Sequence, residues 1–213
     1  MITIKEMQEL ENKAVRSGIS VEQLMENAGK LVYETTKDKY ELLDENIIIL
    51  CGPGNNGGDG FVAARYFSED FTTLILFFGD EERLSEEAKS NYDKIKDKVT
   101  IINVTSEEDL QYFHYQKDKK YIFIDALLGT GFSGTPREPV SIGINYFNKQ
   151  NGKKVAIDIP SGMNADTGEH ELCCNVDLIV CFHGLKVGLE KLKDKTIVVD
   201  IGIPDGSIKI EKV

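Results

Sequence analysis

Residues that could bind phosphate, hold a cation or move a proton follow four short apolar runs of the sequence. They lie in segments 52–60, 125–131, 158–162 and 183–188. The first segment contains five glycines, and glycine-rich backbone at the start of a helix can bind phosphate through its N–H groups without a basic side chain. Asp125 and Asp158 open the second and third segments, and Lys186 lies in the fourth. Carboxyl groups at such positions can exchange protons, and an ammonium group can stabilise developing negative charge.

The glycines after the first apolar run have the spacing of a dinucleotide-binding loop. Gly52, Gly54 and Gly57 satisfy the pattern G-x-G-x-x-G, and we expect the following helix to begin near Gly60. Asp80, near the end of the next apolar run, lies where a ribose-binding acid would be expected. These features are typical of a dehydrogenase, which is therefore one interpretation. No Gly-Lys-Ser/Thr follows the loop, which excludes a Walker A phosphate site.

Three features weaken the dehydrogenase interpretation. Two predicted helices precede the first strand, no second domain remains to hold a hydride acceptor, and Asn55, Asn56 and Asp59 make the turn unusually polar. A second interpretation is a turn whose glycines only let a strand and a helix pack closely, although five glycines in nine residues exceed what such a turn requires. A third is a non-catalytic nucleotide-binding or interaction module, since one fold serves many functions.

The elements that must position these residues alternate between apolar strands and helices. The predicted strands are 47–51, 73–78, 100–104, 121–125, 154–158, 177–182 and 196–201. The segments between them have helical patterns, such as those capped by Ser85 and by Ser106 with Asp109. Continuous apolar strands that alternate with helices indicate a mainly parallel sheet buried on both faces. Right-handed crossovers then predict a three-layer, doubly wound, Rossmann-like α/β fold.

Two extra helices are predicted before the first strand. Thr3 and Glu6 have the spacing of a capping box, and Gly18 follows the end of the first helix. Ser20 and Gln23 form a second predicted capping box ahead of an apolar stripe. Because no linker, repeat or low-complexity tract interrupts the pattern, the whole chain of 213 residues is predicted to form one domain.

Composition and charge exclude several classes of protein. The 25 Lys and Arg against 36 Asp and Glu give a formal net charge of −11 at pH 7, so neither nucleic acid nor an anionic membrane surface is an expected partner. With 41% hydrophobic and 29% charged residues the chain is predicted to be globular, and no apolar run approaches the roughly 18 residues of a membrane span. The first six residues show no secretory signal, so a cytoplasmic location is expected.

The four cysteines show no pattern of a metal or redox site. Cys51 and Cys181 lie within predicted strands, whereas Cys173 and Cys174 are adjacent and fit no zinc spacing. We therefore expect buried or incidental thiols, as is usual for a cytoplasmic protein.

Seven segments together have the pattern of one known family. They are 25–29, 52–65, 125–131, 158–162, 166–168, 184–189 and 200–204. In these segments the chain resembles the NAD(P)H-hydrate epimerase family, also called the YjeF N-terminal domain. The resemblance covers essentially the whole chain in order, and the glycine-rich segment with Asp-Ile-Pro-Ser-Gly at 158–162 is highly specific. The chain departs from the pattern in the connector 169–175, which contains Cys173 and Cys174.

The resemblance implies an enzyme that interconverts the R and S forms of hydrated NADH or NADPH. These are damaged cofactors that carry a hydroxyl at C6 of the nicotinamide ring. In the family an ADP- or ATP-dependent dehydratase removes water from the S form, so the epimerase rescues the R form. Some members carry that dehydratase as a fused C-terminal domain. Family members are commonly dimers, so a homodimer is expected.

The resemblance also implies roles for individual residues. The implied substrate contacts are Asn55, Asn56, Gly57, Gly58, Asp59, Gly129, Thr130, Gly131, Phe132, Ser133, Gly134, Thr135 and Asp158. The implied ligands of one potassium ion per subunit are Asn56, Asp125 and Ser161. A single carboxylate among neutral oxygens suits a weakly charged cation, whereas Ca²⁺ and Mg²⁺ sites gather more carboxylates or water. Asp125 could instead cap a helix or accept hydrogen bonds from loop N–H groups.

Asp158 is the first candidate for acid–base chemistry. Epimerising a carbinolamine carbon requires the hydroxyl to leave and return, or the ring to open and close, and either path moves a proton. Asp158 lies at a predicted strand end shortly before Pro160, where extended backbone would hold it still. Lys186 could stabilise developing negative charge or share the proton. Asp59 is the reserve candidate, with capping of the next helix as its alternative role.

Overall fold

The computed structural model describes residues 1–112 and 118–204, which contain one seven-stranded sheet. The strands are β1 Asn46–Cys51, β2 Thr73–Phe77, β3 Thr100–Asn103, β4 Tyr121–Ala126, β5 Lys153–Ile157, β6 Leu178–Phe182 and β7 Thr196–Val199. Their order is β3-β2-β1-β4-β5-β6-β7, and every neighbouring pair is parallel. The predicted parallel sheet is therefore confirmed, with each strand boundary within two residues of its prediction.

Five α-helices accompany the sheet in the described residues. They are α1 Ile4–Arg16, α2 Val21–Tyr40, α3 Asn55–Asp70, α4 Glu86–Ile95 and α5 Val140–Lys149. Thr3 and Glu6 form the predicted capping box of α1. The second predicted box is only half formed, because the Gln23 side chain donates to Asn27 while Ser20 Oγ accepts from the Gln23 N–H. No helix in the described ranges has both the length and the apolar content that crossing a membrane requires.

The helices cover both faces of the sheet and make three layers. α1 to α4 pack on one face, where Val32 and Phe61 share a core with the β1 residue Ile49. α5 packs on the other face, where Phe147 lies edge-on against Phe123 of β4, with ring centroids 6.5 Å apart. Strands buried on both faces need apolar side chains that point both ways, which explains the continuous apolar runs of the sequence.

The strand order reverses between β1 and β4. β2 and β3 lie on one side of β1, whereas β4 to β7 lie on the other. Cys51 pairs with Ala126 at the ends of β1 and β4, so the segments that follow these strands leave the sheet side by side. Doubly wound folds bind ligands beyond the carboxyl ends of the strands at this position.

The prediction that the helix after β1 begins near Gly60 is wrong. α3 begins at Asn55, so most of the glycine-rich segment forms its first two turns. The glycines allow this because the helix lies very close to its neighbours. A Cβ on Gly57 would lie 1.8 Å from the Gly52 carbonyl oxygen, and one on Gly60 would lie 2.6 Å from Ala126 Cβ. Close packing thus accounts for part of the glycine content, as one interpretation proposed.

The segments before β4, β6 and β7 contain no α-helix in their described residues, contrary to prediction. Residues 158–177 contain neither helix nor strand, because Pro160 restricts the backbone and Gly162 and Gly168 have positive φ angles of 95° and 75°. In the described residues the predicted helix before β4 is a short 3₁₀ helix, and the part of this prediction that falls on 113–117 lies outside them. The 3₁₀ helices of the described residues are Glu81–Arg83, Glu107–Tyr112 and Val187–Lys195.

The cysteines behave as the sequence predicts. All four are free thiols, and three of them are buried. Burial raises the pKa of the Cys181 thiol to about 11 and that of the Cys173 thiol to about 12. Thiols with such pKa values carry almost no thiolate at neutral pH, so they are poor nucleophiles.

Candidate active site

Two adjacent strands, β5 and β6, are each followed by a strained turn of the same type. Asp158 follows β5 and His183 follows β6. The Ile159 N–H donates to the Ile157 carbonyl across the first turn, and the Gly184 N–H donates to the Phe182 carbonyl across the second, both at 2.7 Å. Both residues have a φ of 62°, in the left-handed region that is costly for a non-glycine residue. The extended backbone predicted at Asp158 is therefore wrong. Strain of this kind persists only where the surroundings impose it, and it is concentrated at functional sites.

Asp158 forms a buried ion pair with Lys186. Asp158 Oδ1 accepts from Lys186 Nζ and from the Phe182 N–H at 2.9 Å, and Lys186 Nζ also donates to the Phe182 carbonyl at 2.8 Å. Lys186 is fully buried and Asp158 is 8% exposed. Burial works to lower the pKa of Lys186, but the negative charge of Asp158 opposes it and the net direction is upward. The pairing with Asp158 therefore favours the ammonium form of Lys186.

The amino terminus of the chain holds the backbone of Lys186. Ile2 and Lys186 form an isolated parallel bridge. The Ile2 N–H donates to the Leu185 carbonyl at 2.8 Å, and the Val187 N–H donates to the Ile2 carbonyl at 3.2 Å. α1 consequently starts beside the loop that carries the buried ammonium group.

Asp59 is a second carboxyl group in this region. It lies four residues after the first residue of α3, so it does not cap that helix, and its alternative role is wrong. Burial, together with the negative charges of Asp158 and Glu11, raises the pKa of Asp59 well above its usual range. The side chain is therefore biased towards its protonated form, which can donate a proton.

Glu11 is a third carboxyl group, and the sequence interpretation missed it. It lies on α1 four residues after the buried Met7 and three before the buried Ala14, on the face that packs against the core. Burial and the charge of Asp158 raise the pKa of Glu11, and Lys186 partly opposes them. The available signal was a carboxylate at a helix position where packing favours an apolar residue. The acid–base cluster, as we call it, consists of Glu11, Asp59, Asp158 and Lys186.

A second group, made of oxygen atoms, lies at the carboxyl end of β4, of which Asp125 is the penultimate residue. Asp125 is fully buried; its Oδ2 accepts from the Ser161 N–H at 2.7 Å and its Oδ1 accepts from the Ser161 hydroxyl. Ser161 Oγ also lies 3.1 Å from the Leu128 carbonyl oxygen, to which the Asn56 amide donates at 3.0 Å. The oxygen cluster, as we call it, consists of Asn56, Asp125, Ser161 and the Leu128 carbonyl.

The chemistry of the oxygen cluster fits a monovalent cation. It contains one carboxylate and several neutral oxygens, and no basic side chain in the described parts of the chain pairs with Asp125. Burial raises the pKa of Asp125, while hydrogen bonds from Ser161 and from the Leu127 N–H partly offset this effect. A buried carboxylate without a cationic partner is costly, and a bound cation would remove that cost. Asp125 also accepts loop N–H groups, which was its alternative role.

The amino end of α3 offers free N–H groups where the strand order reverses. Among the described residues no side chain caps this end, and the N–H groups of Asn55, Asn56 and Gly57 have no acceptor four residues earlier within the helix. The helix dipole adds partial positive charge at the same place. A phosphate can therefore bind here even though the chain as a whole is acidic.

The segment after β4 forms one side of a cleft. Its predicted contact residues are half-buried or exposed: Gly129, Thr130, Gly131, Phe132, Ser133, Gly134 and Thr135. Phe132, Thr135 and Arg137 line a cleft of about 420 Å³. Thr135 Oγ1 donates to Glu171 Oε2 at 2.7 Å, which joins this segment to the connector 169–175.

The first two turns of α3 connect the groups described above. Asn55 and Gly57 belong to its amino end, Asn56 belongs to the oxygen cluster, and Asp59 belongs to the acid–base cluster. Four helical residues rise by only about 6 Å along the axis. The predicted site residues on this helix therefore meet within a short distance, at the carboxyl edge of the sheet.

Comparison with known proteins identifies the family of the chain. The family described as YjeF-related protein N-terminus matches residues 21–188. The chain belongs to this YjeF-related family. The matched residues include the amino end of α3, the oxygen cluster, Asp158 and Lys186, whereas α1 with Glu11 lies outside them.

The names of several relatives state an enzyme activity. Proteins from Nitrosopumilus maritimus and Cenarchaeum symbiosum, both named NAD(P)H-hydrate epimerase, are each 35% identical over 210 residues, which is 95% of this chain and 95% of each relative. The bifunctional NAD(P)H-hydrate repair enzyme Nnr of Methanopyrus kandleri is 35% identical over 212 residues, which is 96% of this chain and 42% of that protein. The chain therefore spans about two fifths of the bifunctional relative.

A solved structure confirms the fold. The crystal structure of yeast ynu0, YNL200c, superposes with a TM-score of 0.81 and covers 94% of this chain and 87% of the yeast chain. The two sequences are 23% identical, so this likeness concerns the α/β fold alone.

The first testable prediction concerns the proton on Asp59. Carboxyl ¹³C NMR of the protein, with the Asp59 signal assigned by its loss in Asp59→Asn, should give a midpoint well above the ordinary value of about 4. The folded state binds this proton more tightly than the unfolded chain does. Asp59 should therefore lower the free energy of unfolding as the pH rises from its unfolded-state pKa towards its folded-state pKa. A midpoint at the ordinary value would show that the acid–base cluster does not act on this group.

Proposed function

We propose that the chain is an NAD(P)H-hydrate epimerase, an isomerase that interconverts the R and S forms of hydrated NADH or NADPH. The observation that carries the proposal is the acid–base cluster, in which Asp158 is paired with Lys186 and lies near an Asp59 biased towards its protonated form. Two relatives of similar length whose names state this activity support it.

The substrate is a dinucleotide, and the proposed binding mode uses the amino end of α3. Its free N–H groups at Asn55, Asn56 and Gly57 would bind a phosphate. The cleft beside residues 129–135 would take further parts of the substrate. With a phosphate at this end of α3, the nicotinamide ring would lie towards Asp59 and Asp158.

Epimerisation at C6 requires one group that gives a proton and one that accepts a proton. If the hydroxyl leaves, it takes a proton and departs as water while the ring nitrogen supplies the electron pair, and a water molecule then adds to the opposite face and loses a proton. If the ring opens instead, the hydroxyl loses its proton to form a carbonyl, and the C6–N bond breaks with its electron pair left on the ring nitrogen, which takes a proton. When the nitrogen attacks the opposite face of that carbonyl, the C6–N bond forms again, the nitrogen loses its proton and the oxygen takes one.

Asp59 and Asp158 suit these two roles because their environments differ. Asp59 is biased towards its protonated form and would donate. Asp158 Oδ1 is engaged by Lys186 and by the Phe182 N–H, which leaves Oδ2 to accept a proton from the substrate. The Lys186 ammonium would stabilise negative charge that develops during the transfer.

We also propose that one potassium ion per subunit binds at the oxygen cluster, held by Asn56, Asp125 and Ser161. A bound ion supplies fixed positive charge beside the site where the anionic substrate binds. Because Asn56 is also part of the amino end of α3, these ligands would orient the same helical turn that receives the phosphate.

The proposed functional partner is an ADP- or ATP-dependent NAD(P)H-hydrate dehydratase, which would consume the S form. The names of the bifunctional relatives support a second repair activity linked to this domain. A homodimer and a cytoplasmic location stay predictions from the sequence.

Conversion of the R form tests the proposed function. Purified protein incubated with R-hydrate in potassium buffer should produce S-hydrate, as separated by chromatography. Replacing potassium with sodium at constant ionic strength should weaken binding and slow the conversion, whereas moderate changes of total salt should matter less. Failure to form S-hydrate would contradict the function, and a steep general salt dependence without a potassium effect would contradict the cation site. A dehydrogenase would instead change the absorbance of the reduced nicotinamide when an oxidisable substrate is added.

Asp158→Asn tests the proposed proton acceptor. Asn tolerates the left-handed backbone at this position, and its amide oxygen can still accept from Lys186 Nζ and the Phe182 N–H, so the variant should fold, with a lower free energy of unfolding, and still bind the substrate. Its kcat should fall by roughly 10²- to 10⁴-fold, the usual contribution of a general acid or base. Asp80→Asn is the matched control, since this exposed residue would bind ribose only in a dehydrogenase, and its kcat should not change. Wild-type kcat in Asp158→Asn would remove Asp158 from the mechanism.

A further inference from the structure

Ser85, which lies immediately before α4, contacts the amino end of α3. Its hydroxyl donates to Asn55 Oδ1 at 2.6 Å, across 30 residues of sequence. Asn55 is the first residue of α3, and side chains in a helix lean towards its amino end, so the Asn55 amide lies beside the free N–H groups described above. The sequence predicts Ser85 only as a helix cap, so this contact with the site comes from the structure.

Ser85 can donate this hydrogen bond because its capping role uses it only as an acceptor. It is the N-cap of α4, and its Oγ accepts from the Ala88 N–H at 3.3 Å. A hydroxyl has one proton and two lone pairs, so the bond from Ala88 leaves the proton free for Asn55 Oδ1. One half-buried side chain therefore joins the start of α4 to the start of α3.

The bond from Ser85 leaves the donor end of the Asn55 amide available. Oδ1 is occupied, whereas Nδ2 forms no hydrogen bond with any residue that the structure describes. An unconstrained amide could present either its oxygen or its NH₂ group to a ligand, and only the NH₂ group can donate to a phosphate. The Ser85 hydroxyl favours the orientation in which the NH₂ group is left for an anion.

Close packing on both sides of Ser85 fixes its position against α3. Before it in the sequence, a Cβ on Gly79 would lie 3.0 Å from Pro53 Cβ, so the segment after β2 runs against the glycine-rich segment. After it, the fully buried Ala88 places its Cα 3.2 Å from where a Cβ on Gly58 would lie. The hydrogen bond from Ser85 thus lies between two places where these segments approach closely.

We propose that Ser85 is a positioning residue for substrate binding, which orients the Asn55 amide so that its NH₂ group donates to a phosphate of the substrate. This inference rests on the proposed epimerase function and its binding mode, and it adds a residue from outside the predicted contacts. The phosphate takes no part in the reaction, so its contacts should be equally strong before and during the reaction. Ser85 should therefore affect KM and not kcat.

Ser85→Gly removes the hydroxyl but keeps a helix cap, because glycine is itself an acceptable N-cap residue. KM for R-hydrate should rise by about 2- to 10-fold, the usual effect of one hydrogen bond, with kcat unchanged. Ser85→Thr keeps the hydroxyl and should restore KM to near its wild-type value. Ser20→Gly, which removes the corresponding cap hydroxyl of α2, is the matched control and should change neither constant. An unchanged KM in Ser85→Gly would overturn the proposal.

An Asn55→Ala background tests whether Ser85 acts through Asn55. Asn55→Ala should itself raise KM, because the donating amide is lost. Ser85→Gly should then have no further effect, since the group that it positions is absent. A further rise of KM as large as in the wild-type background would show that Ser85 acts independently of Asn55 and would contradict the proposal.

Binding of ADP-ribose separates this inference from the proposed function. This compound carries the diphosphate of the substrate without the nicotinamide ring, so calorimetry gives its Kd whether or not the protein epimerises the hydrates. The Kd should rise in Ser85→Gly by the same factor as KM, and an unchanged Kd would overturn the role of Ser85. A wild-type protein that binds ADP-ribose but forms no S-hydrate would overturn only the epimerase function. A wild-type protein that does not bind ADP-ribose would overturn the phosphate site and the role of Ser85 with it.

Discussion

The ion pair between Asp158 and Lys186 determines where the other groups of the site can lie. It joins the end of β5 to the loop after β6, and the same loop forms an isolated parallel bridge with Ile2. This attachment fixes the start of α1, the helix that carries Glu11. Removing two charges from water is costly, and here the cost is offset by hydrogen bonds from the Phe182 N–H and to the Phe182 carbonyl. The strained turn at Asp158 then aims its carboxylate along the edge of the sheet.

A net charge of −11 is compatible with a phosphate-bearing ligand, because the groups close to the binding position determine the electrostatic potential there more than the total charge does. Free N–H groups and the dipole at the amino end of α3 attract an anion without any basic side chain. The excess of acidic residues disfavours extended polyanions, which contact a large surface. In the proposed mechanism these functions are separated along one helix: Asn55 would bind the anion, Asn56 would hold the cation and Asp59 would give the proton.

The sequence predicted the sheet well and the local geometry less well. Apolar runs locate all seven strands, and the rule for ligand sites in doubly wound folds locates Asp125, Asp158 and Lys186 at one edge. The start of α3 was misplaced because glycine usually ends helices, whereas here close contact with β1 and β4 stabilises a glycine-rich first turn. Glu11 was missed because the charges that act on it, those of Asp158 and Lys186, are distant in sequence. The left-handed backbone of Asp158 likewise depends on neighbouring β6 and has no local signature.

A double-mutant cycle at Asp158 and Lys186 tests the central claim that this pair organises the site. The free energy of unfolding would be measured by urea denaturation for wild type, Asp158→Asn, Lys186→Met and the double variant. Lys186→Met alone should lose about 3 kcal/mol or more, because it leaves the buried Asp158 carboxylate without its partner. The double variant should lose less than the sum of the single losses, with a coupling energy of about 1 to 3 kcal/mol. Losses that add to within about 0.5 kcal/mol would contradict the account.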